Sequence, residues 1–192
     1  MIIGVSGYAG AGKDTVGAYL QKCGWIRVAF ADKLKELAIE LDPELYMAWG
    51  DWLSLSYLIE ERGSLDAAKQ VHAPVRQYLQ GLGVAMRDVL WPDIWVDAAM
   101  TTVHGETEQG HNVVITDVRF PNELQAIREL GGEVWRVNRR DHHPVNGHMS
   151  ETALDSAVFD LVLENNHTIE DLERSILGYL QMDLVTWAGD GT

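Results

Sequence analysis

Cysteine, positive charge and long apolar runs are all scarce in this chain of 192 residues. Its lone cysteine, Cys23, rules out an internal disulfide and fits a reducing cytosol. No apolar run approaches the roughly 20 residues that cross a bilayer. Met1-Ile2-Ile3-Gly4-Val5 has no basic stretch ahead of its apolar residues, so no secretory leader is expected. Lys and Arg number 15 against 29 Asp and Glu, a formal net charge of −14. That balance argues against general affinity for DNA, RNA or anionic membranes. It leaves room for a small anionic ligand, because such a site needs only local positive charge. What basic charge there is includes Arg76, Arg87, Arg119, Arg136, Arg139 and Arg140, mostly beside segment ends, a placement suited to phosphate. The 46% apolar and 23% charged fractions are those of an ordinary globular protein. The length suits a single domain over 1–192.

The periodicity alternates between strand and helix. Residues 2–6 read as a buried strand, and Lys13 to Lys22 as a helix stopped by Gly24. Trp25 to Phe30 reads as a second strand, and Asp32 as the cap of a helix facing inward through Leu34, Leu37, Ala38 and Leu41. The aromatic-rich stretch 43–72 suggests short helices, followed by helices from Pro74 to about Val89 and from Ile94 to Thr107. Together 43–110 form a helical insertion. Residues 111–117, 133–138 and 160–164 read as further strands, with a helix from Pro121 to Leu130 and a last one capped by Thr168. Residues 139–150 lack either period and look like a mobile, arginine-bearing lid loop. Alternation of this kind implies an α/β fold, with a parallel five-stranded sheet covered by helices on both faces. Ligands in such folds bind at the carboxyl ends of the strands.

The first of those ends carries the strongest signal. Gly7-Tyr8-Ala9-Gly10-Ala11-Gly12-Lys13 runs from strand to helix in the Gly-x-x-x-x-Gly-Lys pattern of a phosphate-binding loop (P-loop). The glycines let backbone N–H groups wrap around phosphate oxygens, the helix start adds a favourable dipole, and Lys13 supplies a point charge. Asp14 stands where Ser or Thr usually offers a hydroxyl to Mg²⁺, with Thr15 next. An Asp there either binds Mg²⁺, which prefers hard oxygen ligands, or stabilises the helix start as a first-turn acid. Asp117 ends an apolar strand in the Walker B layout and is the second metal candidate. His142, His143 and His148 suggest zinc, but no cysteine or carboxylate completes a ligand spacing.

Several blocks spread over the chain resemble the bacteriophage deoxynucleoside monophosphate kinases, a family of P-loop kinases. They are Gly7 to Thr15, Phe30-Ala31-Asp32-Lys33-Leu34-Lys35, Thr116-Asp117-Val118-Arg119-Phe120-Pro121-Asn122-Glu123, His148-Met149-Ser150-Glu151 and Asp160-Leu161-Val162-Leu163-Glu164-Asn165-Asn166. The resemblance implies transfer of the ATP γ-phosphoryl group to a deoxynucleoside monophosphate, with Mg²⁺, in the cytoplasm (the host's, if the protein is viral). It favours a homodimer. Two polyanionic substrates must meet, so positive charge beyond Lys13 and Mg²⁺ is required. Arg119 is the candidate between donor and acceptor, and Arg139 and Arg140 are candidates to close over the transferring group. Phe30, Asp32, Lys33, Arg76, Gln80 and Arg87 are acceptor-side candidates. Arg76 and Arg87 lie about three helical turns apart and share a face. Trp95 either stacks on a base or packs in the core, and Asn165 and Asn166 are expected near the adenine.

Other readings remain at this point. A wider resemblance, through the loop and the Asp32 region, is to dephospho-coenzyme A kinase and other small-metabolite kinases. A non-catalytic nucleotide switch lacks support from any Asn-Lys-x-Asp guanine-selecting motif. A nucleic-acid motor conflicts with the charge of −14.

Overall fold

Ile2–Ser6 forms strand β1, and all five of its residues are buried. An uninterrupted apolar run is what a strand covered on both faces requires. The computed structural model describes residues 1–140, 142 and 152–189, the side chains as far as Gln181. The chain divides into two compact units, Met1–Ala29 with Met100–Thr192, and Phe30–Ala99.

In the first unit β1 leads through the glycine-rich turn into helix α1 (Lys13–Lys22) and strand β2 (Ile26–Val28). The second unit holds α2 (Asp32–Leu41), β3 (Glu44–Tyr46), β4 (Trp52–Ser54), α3 (Leu55–Arg62), α4 (Leu65–Val71) and α5 (Ala73–Val89). The boundary back to the first unit falls within α6 (Ile94–Glu108). After it come β5 (Val113–Val118), α7 (Pro121–Glu129), β6 (Glu133–Asn138), β7 (Leu161–Glu164) and α8 (Ile169–Gly189). Among the described residues, no helix is long and apolar enough to cross a membrane.

The first unit's sheet runs β2-β5-β1-β6-β7, and every neighbouring pair is parallel. The expected α/β architecture with five parallel strands is therefore present. Strand alternation decides what lies on each face. Ile3 and Val5 enter a core with Val16 and Leu20 of α1 and with Leu172 and Ile176 of α8. Gly4, between them, presses on the other face against Ile127 of α7. The order reverses at β1, whose neighbours β5 and β6 both come much later in sequence. A crevice at the carboxyl end of such a strand is the usual ligand position.

The pairing of β1 with β5 is irregular. Gly4 faces Ile115 but Ser6 faces Val118, so β5 spends one extra residue there. A bulge of this kind re-aims side chains, and the one it affects is in the Thr116-Asp117 pair.

The second unit packs around Ala38, Leu45, Met47, Leu55, Leu58, Leu65, Ala68, Val75 and Leu79. The expectation of short helices throughout 43–72 is corrected at its start, where β3 and β4 form an antiparallel hairpin. Leu45 and Leu53 pair toward the core, while Tyr46 and Trp52 pair outside it with ring centroids 5.2 Å apart. Three-residue strands are too short to display a period of two, and the aromatics carry the pairing instead. A second correction concerns Asp32, which is not the cap of α2. The cap position is Ala31, already helical at φ −79 and ψ −5, whose carbonyl accepts from Lys35 N at 3.0 Å. Asp32 is instead a first-turn acid of α2. Thr168 does cap α8: its hydroxyl accepts from Asp171 N, and Asp171 accepts from Thr168 N.

Candidate active site

Three glycines of the turn after β1 have positive φ: Gly7 at 148, Gly10 at 74 and Gly12 at 112. At two of them the surroundings also forbid a side chain. A Cβ on Gly7 would lie 2.5 Å from the Val137 carbonyl oxygen, and one on Gly12 would run into the Asn165 amide. The loop thus lies directly on the ends of β6 and β7. Asn165 fastens it there by donating from Nδ2 to the Ala11 carbonyl at 2.8 Å, while its own N–H donates to Asn138 O at 2.8 Å. Asn166 accepts from Arg140 N at 2.6 Å. In this structure both asparagines act on the backbone of the loop and of the chain after β6.

Lys13 folds back over the loop, donating from Nζ to Gly7 O at 2.8 Å and to Tyr8 O at 2.9 Å. Burial holds its pKa below the ordinary 10.5, and the nearby Arg119 and Arg136 push it further down, whereas Asp14 and Asp117 oppose them. Two guanidinium groups and two carboxylates therefore share the surroundings of this one ammonium. Tight helix packing brings them together. Gly17 of α1 sits so close to Thr116 of β5 that a Cβ would collide with the threonine methyl. That approach places the start of α1 against the end of β5, near enough for the Asp117 charge to act on Lys13.

Asp14 is exposed and Thr15 half-buried on the first turn of α1, and Ala9 and Gly10 form the exposed crest of the loop. Asp14 and Asp117 are hard-oxygen donors acting on one point, the Lys13 ammonium. Among the described residues no group of three or more His, Cys, Asp or Glu is placed to hold a metal ion. Two carboxylates with phosphate and water oxygens completing the shell suit Mg²⁺. His143 and His148 lie outside the described residues, as does most of the lid-like segment 139–150.

Arg119 is exposed just past β5. Its backbone is pinned by Glu123, whose Oε2 accepts from Arg119 N at 2.6 Å and from Phe120 N at 3.0 Å. Glu123 is 8% exposed. Burial pushes its pKa from 4.5 up to about 7 and the Asp117 charge adds to the rise, against its backbone hydrogen bonds and Arg119. Sequence reading passed over Glu123, although a Glu three residues into a helix start is the spacing of a capping box. It grouped Arg136 with the arginines placed for phosphate but gave no hint that this strand arginine is buried near Lys13. Arg139 reaches the loop crest, donating to Gly10 O at 3.3 Å, and the His142 ring lies beside Gly10.

The acceptor-side candidates other than Arg119 belong to the second unit. Phe30 is buried. Asp32 and Lys33 open α2, where Lys33 pairs with Glu36 at 2.6 Å. Arg76, Gln80 and Arg87 lie on α5, with Arg76 Nη2 3.4 Å from Lys69 O. Trp95 is half-buried and its indole N–H donates to Gly83 O at 3.2 Å.

Comparison with known proteins bears on the family and the fold. The profile of a family described as deoxynucleotide monophosphate kinase matches residues 59–176. A protein of Acanthamoeba polyphaga mimivirus, provisionally named a deoxynucleotide monophosphate kinase, is 31% identical over 195 residues, covering 92% of this chain and 94% of the relative. An uncharacterized protein of Ictalurid herpesvirus 1 (strain Auburn) is 33% identical over 129 residues, 62% of this chain and 56% of that one. Among solved structures, the dephospho-CoA kinase of Campylobacter jejuni superposes with a TM-score of 0.50 at 14% identity, covering 94% of this chain and 96% of that one. At that identity the likeness speaks for the fold alone.

Proposed function

This chain belongs to the deoxynucleotide monophosphate kinase family, and we propose that it transfers the γ-phosphoryl group of ATP to the 5′-phosphate of a deoxynucleoside monophosphate, releasing ADP and the diphosphate. The observation that carries the reading is the set of charges around Lys13: an ammonium held on its own loop carbonyls, with Arg119, Arg136, Asp14 and Asp117 about it. Two cations crowding a lysine is unfavourable in isolation, and an incoming polyphosphate relieves it.

Loop N–H groups and the start of α1 bind the donor phosphates, and Lys13 exchanges its carbonyl partners for their oxygens. Asp117 and Asp14 hold Mg²⁺, which when bound neutralises charge on the transferring group. Arg119 stabilises the charge shared between donor and acceptor, with its backbone pinned by Glu123. Arg139, reaching the loop crest, closes over the same group and with Arg140 excludes water. The acceptor needs no strong base, because a phosphate monoester is already ionised at neutral pH. Phe30, Asp32, Lys33, Arg76, Gln80, Arg87 and Trp95 of the second unit form the acceptor side.

A panel assay tests this. With ATP and Mg²⁺, at least one deoxynucleoside monophosphate is expected to yield its diphosphate, and hydroxyl acceptors such as dephospho-coenzyme A to yield nothing. Phosphorylation confined to hydroxyl acceptors would refute the acceptor assignment.

A further inference from the structure

Arg136 is a charged residue in a strand whose neighbours are apolar. It pairs in register with Ser6, at the very start of the phosphate loop, and is 8% exposed. Burying a guanidinium is costly unless its partners replace water. Here Asp155 Oδ1 lies 3.2 Å from Nη2, the Tyr8 ring centroid 4.6 Å from Cζ, and the Phe159 ring centroid 5.5 Å from Cζ. The same Asp155 oxygen accepts from the Tyr8 hydroxyl at 2.9 Å. Three side chains from separate segments therefore close a triangle on the second residue of the loop. Asn165 holds the loop's far half at Ala11, and this triangle holds its near half.

Stability is a poor reason for such an arrangement. A methionine of similar length would fill the space without desolvating a charge, and buried ion pairs are often matched or bettered by apolar substitutes. What the triangle does supply is a fixed orientation of Tyr8, and so of the backbone N–H groups beside it. We infer that Arg136 is a positioning residue for the donor phosphates: with Asp155, and through Tyr8, it holds the near half of the loop in the shape that receives ATP. The inference rests on the reading of this loop as the ATP site.

The test is a set of variants measured by calorimetric titration with ATP and Mg²⁺, by steady-state kinetics and by thermal unfolding. Arg136→Met is expected to keep or raise the unfolding midpoint while weakening ATP binding about tenfold, as lost preorganisation does. KM for ATP should rise in step, and KM for the acceptor should stay put. Tyr8→Phe keeps the ring over the guanidinium and loses only the hydroxyl bond. It should weaken ATP binding about threefold, and its effect should shrink in the Arg136→Met background. Unchanged ATP affinity in a folded Arg136→Met protein overturns the proposal, as do defects that simply multiply in the double variant. Should Arg136→Met fail to fold, Tyr8→Phe alone decides, and unaltered ATP affinity there overturns it too. Titration of ATP needs no acceptor. A parent protein that takes up ATP yet phosphorylates no deoxynucleoside monophosphate therefore sinks the acceptor assignment without touching this one.

Discussion

Glu123 is the residue at which charge, burial and backbone geometry meet. Its carboxylate bonds two consecutive N–H groups, those of Arg119 and Phe120, and so fixes the turn that carries Arg119. Its pKa is pushed up to about 7, chiefly by burial. The folded chain then keeps a proton that the unfolded chain loses near the ordinary value of 4.5. Between those two pH values the native state binds more protons, so its stability must fall as pH rises. The contribution is complete below pH 4.5 and gone above about 7, a change of about 3 kcal/mol. Glu123→Gln keeps an acceptor oxygen and cannot ionise. Urea midpoints at pH 5 and pH 8 are expected to differ less in the variant than in the parent. Equal differences in the two would remove Glu123 as the source.

At the scale of the element, the approach of α1 to β5 is the decisive contact. Gly17 permits it, since any Cβ there would meet the Thr116 methyl. Gly17→Val is expected to cost about 1–3 kcal/mol through overpacking. It should also lower kcat/KM beyond the loss explained by unfolding, because lifting α1 moves Lys13 away from Asp117. Gly81 on α5 is the control: a Cβ there meets nothing within 4 Å. Gly81→Ala should leave kcat/KM unchanged and stabilise the helix by up to about 1 kcal/mol. A Gly17 variant with parental turnover once folded would show that the helix–strand spacing does not set the site.

For the whole molecule, the residues proposed to bind the donor fall in one unit and most of the acceptor candidates in the other. The phosphate loop, Asp117, Arg119, Arg136 and Arg139 all belong to the first unit, and its core is distinct from that around Leu58 in the second. Leu58 is fully buried, and Leu58→Ala is expected to destabilise by about 2–5 kcal/mol. ATP affinity near 10 °C should survive this change while transfer to a deoxynucleoside monophosphate falls as temperature rises. Parallel loss of ATP binding and transfer would contradict the separation.

The positions of the strands along the chain, the phosphate loop and the lysine that follows it were legible in the amino-acid sequence. Each depends on residues close together in the chain: a buried pentapeptide, three glycines and a helix start. The same holds for Thr168, whose cap is a contact with a residue three positions away. The hairpin of β3 and β4 escaped notice because strands of three residues cannot display their period. Asp32 was misread as a cap because the cap position falls one residue earlier, on Ala31. What only tertiary structure decided is which distant side chains share one point in space. Asn165 reaches Ala11 and Arg136 reaches Asp155 and Tyr8 because the neighbouring parallel strands β1, β6 and β7 bring their carboxyl ends to one edge. The bulge in β5 that re-aims the Thr116-Asp117 pair is likewise a mismatch between two strands, and neither strand carries it alone.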